Sequence, residues 1–151
     1  MKIATFYRMP YQEKKMFFIN FILCGLAKIA IHSMSYGRLS HYFGHSCQML
    51  VASTLLSRKQ RQCALTIRRS IALVVRYTPW RSSCLTQALV AKFWCQRYQI
   101  PYLLFVGLAK ENRPSVSIEA HAWMTAGPIA ITGGYALTTH QVISSYSNVF
   151  F

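Results

Sequence analysis

The stretch Trp80-Arg81-Ser82-Ser83-Cys84-Leu85-Thr86-Gln87-Ala88-Leu89 decides how the rest of the chain is read, because it delivers a cysteine to the start of a helix. Pro79 and the serines end one element, Ser83 is a suitable N-cap, and the apolar run from Leu85 opens the next, so Cys84 falls in the first helical turn. At that place the unpaired N–H groups and the positive end of the helix dipole favour a negatively charged sulfur. A second block, Ala120-His121-Ala122-Trp123, supplies the imidazole that a thiol nucleophile needs as base and proton carrier.

The elements around these blocks follow from periodicity. Ser57 caps a helix over 58–77 with Cys63, Ile67, Ile71 and Val74 on one side and Arg58, Arg61, Arg68, Arg69 and Arg76 on the other. The Cys84 helix runs to about Tyr98, and Ala88, Ala91 and Cys95 line its lower side with small residues that admit a sheet at close range. Cys95 therefore reads as packing. Residues 102–108 form an apolar strand, a charged turn follows at 110–114, and 116–125 alternate with Glu119, His121 and Trp123 on one face. Ala126-Gly127-Pro128 turns the chain and 129–132 returns. On composition a lone cysteine is a buried hydrophobe and a lone strand histidine is structural; it is their pairing that argues for chemistry.

The run Arg81-Ser82-Ser83-Cys84-Leu85 with Ala88-Leu89, then Ile100-Pro101 leading into 103–108, then Ala120-His121-Ala122-Trp123, resembles the transglutaminase-like cysteine peptidases of lasso peptide biosynthesis. The likeness covers 58–151. It implies an α+β, papain-like or transglutaminase-like fold, with N-terminal helices and the catalytic helix packed on a small antiparallel sheet. It also implies removal of the leader from a lasso precursor peptide, leader and core both being contacted, in cooperation with a lasso cyclase. Cys84 is then the nucleophile and His121 the base; Trp80, Arg81 and Trp123 are candidate substrate contacts. No metal and no cofactor are expected. Residues 1–15 are too short for the leader-recognition domain of fused members, so the chain resembles the stand-alone form, which relies on a separate recognition protein.

One departure stands out. Members of that family carry an aspartate on the return strand to orient the histidine, and this chain contains no aspartate; Ile131-Thr132-Gly133-Gly134 occupies the place. If Ala126-Gly127 is a two-residue turn, His121 pairs across from Thr132, which becomes the candidate orienter. Glu119 shares the face but lies two residues along the strand, about 7 Å away.

Charge and composition set the partners. Seventeen Lys and Arg face three acids, a net charge of +14, which favours an anionic partner such as an acidic peptide, an acidic protein or a membrane face. Nucleic acid is not expected, since no helix-turn-helix, zinc-finger or stacking-aromatic pattern accompanies the basic stripe. Five cysteines with no Cys-x-x-Cys pair write neither a disulfide framework nor a zinc knuckle, and point to a reducing, cytoplasmic setting. His41, His45 and Cys47 have metal-like spacing without a carboxylate or a fourth ligand.

In outline, residues 1–56 form an N-terminal helical region and 57–151 the peptidase core of one compact domain. The segment 16–31 is apolar around the whole helix and reads as a buried or surface-docking helix, with a membrane anchor as the other reading; residues 33–46 read as a connection with one helical turn. The alternative to a peptidase is a non-catalytic cationic adaptor that binds a membrane face or acidic partner through 58–76 and this apolar helix.

Overall fold

The structure, a computed structural model, describes residues 10–47, 55–79, 82–109, 120–134 and 136–148. The helix expected from the basic stripe sits at Arg58–Tyr77 (α3). Ser57 caps it by a reciprocal pair: its hydroxyl accepts from Gln60 N at 3.2 Å while its own N–H donates to Gln60 Oε1 at 3.0 Å. Ile67, Ile71 and Val74 are buried, and Arg58, Lys59, Arg61, Arg68, Arg69 and Arg76 are exposed, so the two faces divide as the periodicity requires.

Two helices precede it, Tyr11–Ser33 (α1) and Tyr36–Ser40 (α2), and one follows at Cys84–Arg97 (α4). α1 begins five residues before the apolar segment that announced it. α4 stops because Gln99 takes a left-handed backbone, φ 51°, and the Ile100 N–H reaches back to Cys95 O at 2.8 Å, which seats Ile100 fully in the interior.

The strands are His45–Ser46 (β1), Leu103–Ala109 (β2), Ala120–Ala126 (β3), Ile129–Thr132 (β4) and His140–Ser147 (β5), with a short turn of helix, Ala136–Thr139 (α5), before the last. They form one antiparallel sheet in the order β1-β5-β2-β3-β4. The fold is thus α+β, with α1, α3 and α4 packed on one another and α3 and α4 laid on the β3–β4 side of the sheet. Ala88, Ala91 and Cys95 are fully buried in that layer with Leu104, Ala122, Met124 and Ile131, so the small-residue side of α4 does admit the sheet.

The opposite sheet face carries a smaller cluster of Leu103, Phe105, Trp123 and Ala136. Strand alternation divides β3 between the two: Ala122, Met124 and Ala126 go to the helices, Trp123 to the second face.

Two readings of the sheet need correction. The turn after β3 is Gly127-Pro128, since Ala126 pairs with Ile129, and a bulge between Met124 and Thr125 sets Thr132 opposite Met124 rather than His121. β5 was not anticipated, yet it pairs with both β1 and β2. The charged turn at 110–114 and the strand start at 116–119, with Glu119, lie outside the described residues.

Candidate active site

Cys84 is the first residue of α4. Ser83 caps the helix, its hydroxyl accepting from Thr86 N at 3.2 Å and meeting Thr86 Oγ1 at 2.9 Å, and the Gln87 side chain donates to Ser82 O at 3.2 Å. These contacts hold the loop and fix where the thiol emerges. Its sulfur is half-buried and accepts from the backbone N–H of Ala122 at 3.4 Å. β4 ends at Thr132, opposite Met124; Ala122 lies beyond that point on β3, and its N–H is directed at a sulfur instead of a strand. The cysteine is therefore keyed to β3 at the residue that follows His121.

His121 stands on the second sheet face with Trp123, their rings 6.2 Å apart and nearly parallel, and Trp123 stacks in turn on Phe105 at 5.5 Å. Gly133, with φ 59°, lies against this imidazole: a Cβ there would come within 2.8 Å of Trp123 Cβ and 2.9 Å of His121 Nε2. A side chain at 133 would displace the ring, and the left-handed backbone also favours glycine. Burial holds the His121 pKa below its ordinary value, and the nearby His140 lowers it further. The imidazole is consequently a neutral base over more of the pH range than a free histidine.

His140, which opens β5, is the site residue that the sequence did not announce. Its ring centroid is 5.0 Å from that of His121 and 6.0 Å from that of Trp123, and its Nδ1 lies 2.8 Å from Thr139 Oγ1. Gly107 lies on β2, the strand between the two histidines. It pairs with both His121 and Val142, and a Cβ there would meet Gln141 O and the Trp123 ring at 2.8 Å or less. A usable signal was the missing aspartate, which directs attention to any other polar residue that a strand brings beside His121.

The other candidates divide clearly. Thr132 does not orient His121: the bulge puts it opposite Met124, and its buried hydroxyl has no hydrogen-bond partner among the described residues. Trp123 is fully buried, so it backs the His121 ring rather than offering a surface to substrate. Trp80 and Arg81 lie outside the described residues. Burial pushes the thiols of Cys24 and Cys95 up, the latter to about 12, which suits neutral packing groups and leaves Cys84 as the cysteine placed at a helix start. Among the described residues no three His, Cys, Asp or Glu side chains converge on a metal position.

Cys84 meets β3 at Ala122, whose side chain faces the helices, while the neighbouring His121 shares the other face of the strand with Trp123. A helix-start thiol and an imidazole at adjacent strand positions are the group types that thiol-based acyl transfer uses. Comparison with curated proteins and with solved structures found no match. A family model described as the transglutaminase-like superfamily matches residues 35–145, most of the chain and all of the Cys84 and His121 framework, and the chain belongs to that superfamily.

Proposed function

We propose that the protein is a cysteine peptidase that removes the leader from a lasso precursor peptide, with Cys84 as nucleophile and His121 as base. The observation that supports the reading is the contact of Cys84 Sγ with the Ala122 N–H, which brings a helix-start thiol onto β3 at the residue that follows His121 in the chain. The Cys84 sulfur attacks the scissile carbonyl, forming the C–S bond as the carbonyl electrons move to oxygen. The Cys84 backbone N–H at the helix start is one donor for that oxyanion. His121, having taken the thiol proton, gives it to the leaving amine as the C–N bond breaks. Water then attacks the thioester with His121 accepting its proton, and the sulfur leaves.

The partners follow from the resemblance and from charge. The exposed arginines of α3 give a leader or a separate recognition protein with acidic residues a complementary face, and a lasso cyclase takes the released core. The test is incubation of the protein with precursor and recognition protein, followed by mass spectrometry. Wild type yields free leader and core, and Cys84→Ala yields neither; equal cleavage by the variant removes the assigned nucleophile.

A further inference from the structure

α1 has two apolar faces, one packed on the domain and the other largely exposed among the described residues. Met16, Asn20 and Cys24 are buried against α3 and α4. On the other side Ile22, Leu26 and Ile29, spaced i, i+4 and i+7, are 61 %, 58 % and 64 % exposed, and Phe18 continues the stripe at 57 %. Between Phe18 and Ile29 the stripe runs about 16 Å along the helix. It adjoins an apolar groove of about 430 Å³ lined by Leu23, Leu26, Ala30, Met34, Tyr42 and Phe93. Lys15 and Lys28 flank the stripe, and Glu13, at its beginning, is the one acid on the helix.

By length and composition, α1 is long and apolar enough to cross a bilayer. The inner face argues against crossing. Asn20, fully buried, donates to Ser70 Oγ at 2.6 Å and accepts from Trp94 Nε1 at 2.5 Å, so it ties α1 to both core helices, and pulling the helix into lipid would strand all three polar groups. A helix held on one side by the domain and apolar on the other is placed to lie flat at a membrane interface.

Charge selects the occupant. A second copy of this chain would bring two +14 molecules face to face, whereas an anionic lipid surface attracts the whole chain and receives Lys15 and Lys28 among its headgroups. We propose that the outer face of α1 docks the protein onto an anionic bilayer, with Phe18, Ile22, Leu26 and Ile29 entering the headgroup–acyl boundary. This goes beyond the peptidase reading and stands independently of it.

The test uses the full chain and vesicles of phosphatidylglycerol or of phosphatidylcholine, read by co-sedimentation. The protein is expected to pellet with phosphatidylglycerol vesicles, less so as salt rises, and weakly with phosphatidylcholine. Ile22→Ser/Leu26→Ser/Ile29→Ser is expected to lower partitioning at least about 10-fold with unchanged circular dichroism. Lys15→Glu/Lys28→Glu, which leaves the apolar stripe intact, is expected to lower binding to phosphatidylglycerol alone. No binding to phosphatidylglycerol at low salt overturns the proposal, as does full binding by the triple serine variant. Equal binding to both lipids overturns the electrostatic half. A wild-type dimer that the serine variant dissociates, without vesicle binding, assigns the face to a second copy instead.

Discussion

Replacing Gly133 by alanine perturbs the imidazole through a single methyl group. The backbone there has φ 59°, and a Cβ would stand 2.8 Å from Trp123 Cβ and 2.9 Å from His121 Nε2. The left-handed backbone alone costs an L-residue about 1–2 kcal/mol, which for a chain of this size lowers the Tm by roughly 2–8 °C. Trp123 is fully buried with Phe105 stacked upon it and cannot retreat, so the ring that yields is the half-buried His121. Thermal unfolding followed by circular dichroism reads the first effect, and precursor cleavage reads the second, with kcat expected to fall more than KM rises on the proposed role of His121 as base. Gly25→Ala is the control: nothing lies within 4 Å of its added Cβ, and it is expected to stabilise α1 by about 0.5–1 kcal/mol. A Gly133→Ala protein that melts like wild type and cleaves at the wild-type rate would refute both the strain and the placement of His121.

Three further outcomes follow from packing and charge. Asn20→Leu leaves Trp94 Nε1 and Ser70 Oγ without the partner they share, at roughly 1–3 kcal/mol for each buried group, and urea unfolding that finds no loss would remove the network from the stability argument. The His121 pKa lies below its ordinary 6.5 through burial first and His140 second. The unfolded chain therefore takes up this proton first, so stability is intact above about 6.5 and falls as pH drops through the lower folded value; His121→Asn is expected to flatten the Tm–pH curve across that window, and an unaltered curve counts against it. His140→Asn removes the neighbouring positive charge and is expected to raise the His121 pKa in an NMR titration, an unchanged or lower value being the contrary result.

Much of the architecture was legible because local signals agreed with tertiary need. Ser57 and Ser83 each cap the helix that their position announced, the arginine stripe divided the faces of α3 correctly, and Cys95 is a packing residue as the small-residue side of α4 implied. What escaped the reading depends on distant partners. β5 reads His-Gln-Val-Ile-Ser-Ser-Tyr-Ser, with too few apolar residues to declare a strand, yet β2 on one side and β1 on the other satisfy its backbone. The register of His121 hinged on a turn moved by one residue and a bulge at Met124, neither of which alters the hydrophobic pattern. His140 comes beside His121 across β2, a neighbourhood that depends on the pairing of β5 and β3 with that strand and leaves no mark in the local sequence.

The contact that holds the Cys84 thiol is made by the main chain of Ala122, not by a side chain. Substitution scans that trim side chains one at a time will pass over it, since every residue but proline supplies the same amide. Alkylating the sulfur should instead loosen that amide, so faster deuterium uptake at position 122 after thiol capping would report on the site without any substrate at hand.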